Sequence, residues 1–301
     1  MIVATATDTT YVEFTAVMLA SLAAHADGEV SAAYVFCDGV SEDEKAKMAA
    51  SYGRPDLVFV DLTDDMTRHF GARPVNHHLS RTAYARILMP LSLANETGRL
   101  LYLDCDTLVN GALSPLAKLD MQGFPVAAVN DIAHRVPERH AKRNRDIGLP
   151  EDMAYFNSGV LLIDLEAWRR DKVSERTIAF ALEHPELPMM DQDALNGALR
   201  GQWLALDDSW NVHRRLKKGR YDDEPLDWSA VRIIHFIGQV KPNYADCGHP
   251  ARDIYLRYRA RTPFGGEKLK TPWDRKIEKR VRKLRRFIGG MKRRLGLAPA
   301  G

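Results

Sequence analysis

Strand-like and helix-like segments alternate along the first sixty residues, and this alternation restricts the fold more than any other feature. Short, largely apolar runs cover residues 2–7, 31–37 and 57–62. Between them, residues 11–24 repeat apolar positions at helical spacing, and residues 41–51 begin with a serine suited to cap a helix. A strand-helix-strand-helix-strand order is typical of a mostly parallel sheet flanked by helices. The sequence therefore predicts an α/β fold.

The alternation continues with a predicted helix over residues 79–91 and predicted strands over residues 100–103 and 126–130. The first half of the chain thus looks like a nucleotide-binding α/β unit. It contains neither the Gly-x-Gly-x-x-Gly nor the Walker A sequence with which such units commonly hold phosphates. The charge of a phosphate-bearing ligand would have to be neutralised in another way.

Two carboxylates follow the predicted strand at residues 100–103 and offer that other way. Asp104 and Asp106 are separated by one residue, so in extended backbone their side chains point to the same side and can converge on one cation. In open α/β sheets ligands bind at the carboxyl ends of the strands, and Mg²⁺ or Mn²⁺ there commonly bridges protein carboxylates and substrate phosphates. An isolated Asp-x-Asp can also be a solvated turn, so this interpretation depends on partners elsewhere in the chain.

The second half of the chain supplies polar groups for such a site. An apolar strand predicted over residues 155–164 begins with small and polar residues, and a small residue there allows a ligand to approach the backbone. These residues are Asn157, Ser158 and Gly159. Asp191 and Gln192 begin a predicted helix, where they can face a cavity while also capping the helix.

A histidine follows the last predicted strand, at residues 231–234. His235 could complete a metal site with Asp104 and Asp106, because an imidazole nitrogen is an acceptable ligand for Mn²⁺ and a poor one for Mg²⁺. Lys241 comes six residues later and offers an ammonium group.

Composition restricts the class of protein further. With 301 residues, 45% of them hydrophobic and 28% charged, the chain can bury the core of one large α/β domain or of two smaller ones. Its three cysteines have no Cys-x-x-Cys spacing, which argues against a disulfide framework or a zinc site and favours a reducing cytoplasm. The amino terminus lacks the regions of a signal peptide, and no apolar run approaches about 18 residues, so we expect no export by that route and no membrane-spanning helix.

The carboxyl-terminal region is strongly basic. Residues 268–294 contain 13 lysines and arginines and two acidic residues, although the net charge of the chain is +3. Apolar residues recur there every three or four positions: Trp273, Ile277, Val281, Leu284, Ile288, Met291 and Leu295. A helix with this pattern has one apolar stripe and a broad cationic face, which suits the interface of an anionic membrane. Packing on the body and binding of nucleic acid are the alternatives; we expect a membrane surface and no nucleic acid, because an apolar stripe suits acyl chains better than phosphates.

The ordered motifs resemble glycosyltransferase family 8, the retaining enzymes of the GT-A fold. They lie at residues 6–11, 82–86, 102–106, 155–159, 191–193 and 235–242 and read ATDTTY, TAYAR, YLDCD, YFNSG, DQD and HFIGQVKP. The resemblance implies a Rossmann-like mixed, mostly parallel sheet flanked by helices. The basic tail is similar to that of the bacterial branch that extends lipopolysaccharide or lipooligosaccharide cores. Asn243 departs from the family, in which an aromatic residue usually follows Lys-Pro, and this bears on the acceptor pocket more than on the metal site.

The resemblance implies a ligand for each motif residue. Asp104, Asp106 and His235 would hold Mn²⁺, with Mg²⁺ as the alternative ion. Asp8 and Tyr11 would meet the ribose and uracil of a UDP-sugar, with Ala6 and Cys105 at the same nucleotide site. Lys241 and the backbone of Gly238 would meet the diphosphate. The donor sugar would be surrounded by Arg86, Asn157, Asp191 and Gln192.

Three further assignments concern the residues around the reacting sugar and the acceptor. A double displacement needs a carboxylate on the sugar face opposite the leaving group, and the sequence places none there. The resemblance puts the Gln192 amide near that face, and an amide is an indifferent nucleophile, so a front-side path is at least as consistent. Asp191 would then position the sugar. Asp131, just past the strand predicted at residues 126–130, would serve the acceptor site, and residues 135–145 would form a solvated basic loop or a lid.

These interpretations together predict a Mn²⁺-dependent enzyme that moves galactose or glucose from a UDP-hexose to a glycan or glycolipid acceptor. Residues 1–250 would form the catalytic domain, and residues 251–301 a region that attaches it to the inner face of the plasma membrane. A sugar-nucleotide or glycan binding protein without turnover is the alternative. A metal-dependent phosphohydrolase is a weaker one, because Asp8 lacks a second aspartate at the position of Thr10.

Overall fold

The computed structural model describes residues 1–62, 81–213, 216–217, 220–221, 226–238, 240–278 and 280. Its strands are β1 (Ile2–Asp8), β2 (Ala32–Asp38), β3 (Leu57–Asp61), β4 (Arg99–Leu103), β5 (Thr107–Val109), β6 (Val126–Asn130), β7 (Phe156–Asp164), β8 (Leu204–Ala205), β9 (Leu216–Lys217), β10 (Arg220–Tyr221) and β11 (Ile233–His235). Its helices are α1 (Val12–His25), α2 (Glu42–Tyr52), α3 (Arg81–Ser92), α4 (Ser114–Ala117), α5 (Pro137–Asp146), α6 (Leu165–Arg170), α7 (Val173–Glu183), α8 (Met190–Leu199) and α9 (Arg252–Arg259). Short 3-10 helices cover Ile132–Arg135 and Asp208–Trp210.

Within this part of the chain a seven-stranded sheet has the order β3-β2-β1-β4-β7-β6-β8. All its neighbouring strands are parallel except that β7 runs opposite to both β4 and β6. The sequence-based prediction of a mixed, mostly parallel sheet flanked by helices is confirmed. The carboxyl ends of the parallel strands meet at one edge, where ligands of open α/β sheets bind.

The two faces of the sheet carry separate cores, because successive side chains of a strand point to opposite faces. Val3 and Leu101 pack with α1 and α2 on one face, around Leu19 and Met48. Ile2 and Leu100 pack on the other face with α3, α6 and α8, and Trp168 lies there without exposure. Helices on both faces fix the sheet as a rigid support for the residues at its edge.

A second, two-stranded sheet lies beside the first and matters for the site. β5 pairs antiparallel with β11, and this register places His235 opposite Thr107. Since β5 follows β4 after a short turn, the pairing brings residues more than a hundred positions apart in the sequence to the same edge.

Residues 135–145 differ from the predicted loop, because most of them lie in α5, which begins with Pro137 at a favoured position. Helix α9 packs on α1: Arg259 Nε donates to Glu13 Oε1 at 2.7 Å, and the rings of Phe14 and Tyr255 are 5.8 Å apart. The proposed boundary at residue 250 stays a prediction.

The beginning of the basic tail is helical over residues 272–278. Glu278 accepts hydrogen bonds from Tyr244 and Lys270, and Arg275 pairs with Asp246. Residues 281–295, on which the rest of the predicted apolar stripe falls, lie outside the described residues. Within the described part of the chain, every helix is too short or too polar to cross a membrane.

Candidate active site

The predicted pair of carboxylates lies where β4 ends. The Asp104 N–H donates to the Gly159 carbonyl at 2.8 Å, which continues the pairing of β4 with β7. The Thr107 N–H then donates to the Asp104 carbonyl at 3.0 Å and closes a turn. Asp104 and Asp106 therefore converge across a turn, rather than along the extended backbone expected from their spacing.

The structure brings His235 to these two carboxylates. Its Nε2 atom lies 3.2 Å from Asp106 Oδ1 and 3.6 Å from Asp104 Oδ2. One ligand atom from each of the three residues lies within 4.8 Å of the others. The imidazole is 3% exposed, so its position is held by packing.

The residues present fit a divalent cation. Two carboxylates and one imidazole nitrogen form a mixed oxygen and nitrogen donor set that suits Mn²⁺. The space is kept open by Gly159, because a Cβ atom at this position would lie 2.2 Å from His235 Cε1 and 2.8 Å from Asp104 Oδ2. Gly159 therefore lies in close contact with two of the three metal candidates, His235 and Asp104, while the expected approach of a ligand to the backbone at residues 157–159 stays a prediction.

Arg86 links the metal candidate Asp104 to Asp191, which was predicted to face the donor sugar. It is 8% exposed, so it is no surface charge. Its Nη2 atom donates to Asp104 Oδ1 at 2.8 Å, its Nη1 atom donates to the Ser158 carbonyl at 2.9 Å, and its Nε atom lies 3.1 Å from Asp191 Oδ2. Tyr102 also donates to Asp104 Oδ1, at 2.6 Å. Arg86 and Tyr102 therefore occupy one oxygen of Asp104, and the other oxygen faces His235.

Arg86 contacts the first of the two carboxylates, Asp104, and Lys241 contacts the second, Asp106. The Nζ atom of Lys241 contacts Asp106 Oδ2 and donates to the Phe236 carbonyl at 2.7 Å. Burial favours the neutral amine, but Asp106 outweighs it and raises the pKa of Lys241. Burial likewise opposes the charge on Asp106, yet Lys241 and His235 lower the pKa of that carboxyl. At neutral pH the structure thus keeps a lysine cation and a carboxylate anion side by side.

The residues assigned to the nucleotide lie at the same edge. Ala6 is buried in β1, and Asp8 ends that strand and accepts from the Thr10 N–H at 2.8 Å. The pKa of Tyr11 is raised, because the effect of burial exceeds that of the neighbouring Lys241, which lowers the pKa. Burial raises the pKa of the Cys105 thiol well above its ordinary value, so the thiol stays neutral.

Gly238 has a φ angle of +102° and open space around it, a backbone conformation that suits glycine. It follows His235 by three residues and so lies in the segment that joins the metal candidates to Lys241.

The residues expected around the donor sugar and the acceptor contact one another. Gln192 Nε2 donates to Asp131 Oδ2 at 3.1 Å. Gln192 Oε1 accepts from Asn157 Nδ2 at 3.0 Å and from the Ser158 N–H at 3.1 Å. Ser158 Oγ lies 3.3 Å from Asp191 Oδ2, and burial raises the pKa of Asp191 although Arg86 opposes it. The structure therefore brings together all of the residues predicted for catalysis, while their roles stay predictions.

One part of the prediction for Asp191 and Gln192 is wrong. Helix α8 has no side-chain cap at Met189, the residue that precedes it. The Met189 N–H instead donates to Asp193 Oδ2 at 2.7 Å. Asp191 and Gln192 are thereby left to contact the site, because another residue satisfies the start of the helix.

Asp131 has an ionic partner that the sequence did not reveal. Arg143 of α5 donates to Asp131 Oδ1 at 2.7 Å. Burial opposes the charged form of Asp131, but Arg143 and the Ala133 N–H hold the pKa of this carboxyl below its ordinary value. The basic segment at residues 135–145 therefore contributes a counter-ion to the site.

Sequence reasoning also missed Asn211, and it gave no role in the site to Tyr155 and Asp193, although both lie in the motifs at residues 155–159 and 191–193. Asn211 is 1% exposed and contacts both Asn157 and His235. Tyr155 donates to Asp193 Oδ1 at 2.5 Å and accepts from Gln192 Nε2 at 3.2 Å. An amide directly between the apolar residues Trp210 and Val212 was a weak signal for Asn211, because a polar side chain that is buried with apolar neighbours needs hydrogen-bond partners.

A cavity of about 320 Å³ opens next to Asp131. Its lining includes Asn130 and Ile132, which flank Asp131, together with Ser209, Asp227 and Val231. Apolar side chains mixed with a few carboxylate, hydroxyl and amide groups are typical of a small-molecule site.

Comparison with known proteins gives concordant results. A family model described as Glycosyl transferase family 8 matches residues 2–244. General stress protein A of Bacillus subtilis is 32% identical over 246 residues, which are 77% of this chain and 82% of that protein. The lipopolysaccharide 1,3-galactosyltransferase of Salmonella typhimurium is 27% identical over 247 residues, covering 79% of this chain and 72% of that enzyme. The crystal structure of the galactosyltransferase LgtC in complex with donor and acceptor sugar analogues matches with a TM-score of 0.70 at 27% identity, covering 87% of this chain and 96% of that one. The sheet and its flanking helices match the GT-A fold of that structure.

Proposed function

The chain belongs to glycosyltransferase family 8, and we propose that it transfers galactose or glucose from a UDP-hexose to a glycan acceptor with Mn²⁺ as cofactor. The observation that carries this proposal is the convergence of Asp104, Asp106 and His235 beside the cationic Lys241. A metal-ligating triad next to a buried ammonium group is suited to a nucleoside diphosphate, whose charge grows as the glycosidic bond breaks.

Different residues of the chain would bind the ion and stabilise the leaving group. Asp104, Asp106 and His235 would hold the ion, which supplies Lewis-acid stabilisation of the diphosphate when bound. Lys241 adds a second positive charge, because its pairing with Asp106 keeps the amine protonated. Arg86 holds Asp104 and Asp191 in fixed positions through a planar fork of donors.

The hydrogen bonds of Gln192 favour a front-side path for the retaining reaction. The Gln192 carbonyl oxygen already accepts two hydrogen bonds, from Ser158 and Asn157, so its lone pairs are engaged. Asp191 is paired with Arg86, which fits a group that positions the sugar. We therefore propose that a departing phosphate oxygen takes the acceptor proton, with Gln192 and Asp191 as positioning residues.

The cavity beside Asp131 supports a glycan acceptor. The carboxylates of Asp208 and Asp227 could accept hydrogen bonds from the hydroxyls of a sugar, and the apolar part of the lining suits the faces of sugar rings. The similarity to a lipopolysaccharide galactosyltransferase is consistent with a lipid-linked acceptor, such as a lipopolysaccharide core.

The start of the tail supports attachment to an anionic membrane surface. Its polar side contacts the body through Arg275, which pairs with Asp246, and through Glu278, which accepts from Tyr244. Trp273 and Ile277, one helical turn apart, are 66% and 51% exposed. Apolar side chains that point outward from a basic helix fit the interface of the inner face of the plasma membrane. In this proposal residues 251–301 keep the otherwise cytoplasmic enzyme at its lipid-linked acceptor.

The proposal is tested by donor turnover. Release of the nucleoside diphosphate is measured with UDP-galactose, UDP-glucose, UDP-N-acetylglucosamine and GDP-mannose, with Mn²⁺ and with chelator, for the wild type, Asp106→Asn and Asp43→Asn. Asp43 is exposed on α2, so its variant controls for loss of a carboxylate. We expect Mn²⁺-dependent turnover of one UDP-hexose, and a loss of roughly 3 kcal/mol of transition-state stabilisation in Asp106→Asn alone. Binding of a UDP-sugar with no turnover would favour a binding protein instead.

A further inference from the structure

Asn211 lies between a metal candidate and the sugar side of the site. It follows the 3-10 helix at Asp208–Trp210 and is 1% exposed. Its Oδ1 atom is 3.0 Å from His235 Nδ1, and its Nδ2 atom donates to Asn157 Oδ1 at 2.8 Å. The two ends of this one amide therefore serve two different parts of the site.

The direction of the Asn211 amide is fixed by backbone groups. The Gly159 N–H donates to Asn157 Oδ1 at 3.0 Å, and a backbone N–H can only donate, so this atom of Asn157 is its oxygen. Its Nδ2 atom faces Gln192 Oε1, which in turn accepts from the Ser158 N–H. Asn211 must therefore present its own Nδ2 to Asn157, which turns its oxygen toward His235.

This orientation decides which nitrogen of His235 carries hydrogen. An amide oxygen only accepts, so His235 Nδ1 is the donor to Asn211, and when the ring binds a cation in its neutral form Nε2 is the nitrogen with the lone pair. That lone pair faces Asp104 Oδ2 and Asp106 Oδ1. Three electron-pair donors around one point match the need of a divalent cation, and the hydrogen bond at the other nitrogen orients the ring for it.

The position of Asn211 is itself fixed by a second histidine. The Ile132 N–H donates to His213 Nε2 at 3.0 Å, so His213 carries its hydrogen on Nδ1. His213 Nδ1 then donates to the Asn211 carbonyl at 2.8 Å. The backbone of Asn211 is thereby anchored to the segment that carries Asp131.

We propose that Asn211 is a positioning residue of the metal site, holding His235 in the tautomer that presents Nε2 to the ion. The inference rests on the proposed function, because it takes Asp104, Asp106 and His235 as the metal ligands. It adds a link to the sugar side: the chain Gly159 N–H, Asn157, Asn211 and His235 makes the metal site depend on residues assigned to the donor sugar.

The test measures binding of Mn²⁺ alone to the metal-free full-length protein, from the electron paramagnetic resonance signal of free Mn²⁺. Asn211→Leu removes both hydrogen bonds with little change in volume, and Asn211→Asp keeps an oxygen acceptor for His235. Asn144→Leu is the matched control, because Asn144 is also fully buried but bonds to the carbonyls of residues 150, 151 and 153. Thermal unfolding without metal checks that each variant folds.

We expect Asn211→Leu to bind Mn²⁺ about 10- to 100-fold more weakly, the range known for groups that orient a ligating histidine. Asn211→Asp should recover part of the affinity, because it keeps the oxygen acceptor for His235 but has no donor for Asn157 Oδ1, and Asn144→Leu should bind like the wild type. Wild-type affinity in Asn211→Leu would overturn the inference, as would equal losses in Asn211→Leu and Asn211→Asp. If Asn211→Leu does not fold, Asn211→Ser takes its place under the same criteria. Failure of the wild type to bind Mn²⁺ would instead reject the proposed metal site.

Discussion

At the scale of single residues, Gly159 shows how closely the site is built. A methyl group there would overlap His235 and Asp104, so only glycine leaves the three acceptor groups in place. Gly197 in α8 is equally crowded, since a Cβ atom would lie 2.3 Å from Phe180 Cζ, but it lies away from the carboxylate pair. Substitutions at these two glycines therefore distinguish an effect of crowding on stability from an effect of crowding on the metal candidates.

We expect Gly159→Ala and Gly197→Ala each to lower the free energy of unfolding by about 1–3 kcal/mol, the usual range for overpacking. Only Gly159→Ala should also weaken Mn²⁺ binding, by about tenfold or more. Urea unfolding and Mn²⁺ titration of both variants check this. Normal Mn²⁺ affinity in Gly159→Ala would show that the ion does not bind between Asp104 and His235.

The ion pair of Asp131 and Arg143 should make the free energy of unfolding depend on pH. Because the folded-state pKa of Asp131 lies below its ordinary value of about 3.9, the pair stabilises the fold above that pH, and the contribution is lost as pH falls through the folded-state pKa. We expect Arg143→Met to lower the free energy of unfolding at neutral pH by about 2 kcal/mol, between the values of exposed and fully buried pairs. The difference from the wild type should shrink in acid.

Arg145→Met is the control for this prediction, because Arg145 lies on the same helix and pairs with Glu151 on the surface. Its effect should stay within about 0.5 kcal/mol at every pH. Urea unfolding of both variants over the acidic range provides the measurement. A constant difference for Arg143→Met down to the lowest pH would contradict the assignment of the charge to Asp131.

At the scale of secondary-structure elements, one side chain of α3 joins three other parts of the fold. Arg86 reaches Asp104 after β4, Ser158 in β7 and Asp191 in α8. All three contacts need the planar fork of donors of arginine, which an ammonium group does not reproduce. Breaking a buried pair of this kind usually costs about 3–5 kcal/mol, because a charge is left without a partner.

We therefore expect Arg86→Met to lower the free energy of unfolding by about 3 kcal/mol. Arg86→Lys should recover part of this loss and still lose donor turnover, because it keeps the charge and not the geometry. Arg54→Lys, at a partly exposed pair with Asp56, is the control and should change little. Full turnover by Arg86→Lys would mean that charge alone matters at this position.

The elements were the part of the structure that the sequence predicted well, because periodicity and capping are local. Ser41 caps α2 as predicted, accepting from the Glu44 N–H while Glu44 contacts Ser41 in return. The metal candidates were also within reach, since motif residues lie at strand ends. Asn211 and Arg143 were not, because neither lies in one of the motifs and their roles come from tertiary contacts, with His235 and with Asp131.

At the scale of the whole molecule, the start of the basic tail contacts the rest of the chain near Lys241, which we propose to meet the diphosphate. Tyr244, three residues after Lys241, donates to Glu278 Oε2 at 2.6 Å and lies under Arg275. The proposed membrane-facing side chains, Trp273 and Ile277, belong to the same helix. Attachment to a membrane would therefore hold the site at a fixed distance from the lipid surface.

We expect the double variant Trp273→Ser and Ile277→Ser to bind vesicles containing anionic lipid about 30-fold more weakly, since each exposed apolar side chain contributes on the order of 1 kcal/mol when buried. Val58→Ser, which removes another exposed apolar side chain on β3, should bind like the wild type. Vesicle sedimentation provides the measurement. Unchanged binding by the double variant would place the membrane contact elsewhere or remove it.

The central claim is that Asp104, Asp106 and His235 bind an ion through which the chain holds UDP. The most direct measurement is calorimetric titration of UDP into the full-length protein, with Mn²⁺ and with chelator, for the wild type and Asp106→Asn. We predict that UDP binds the wild type tightly only when Mn²⁺ is present, and that Asp106→Asn loses this dependence. Equal binding of UDP with and without Mn²⁺, or Mn²⁺-dependent binding that survives in Asp106→Asn, would contradict the account.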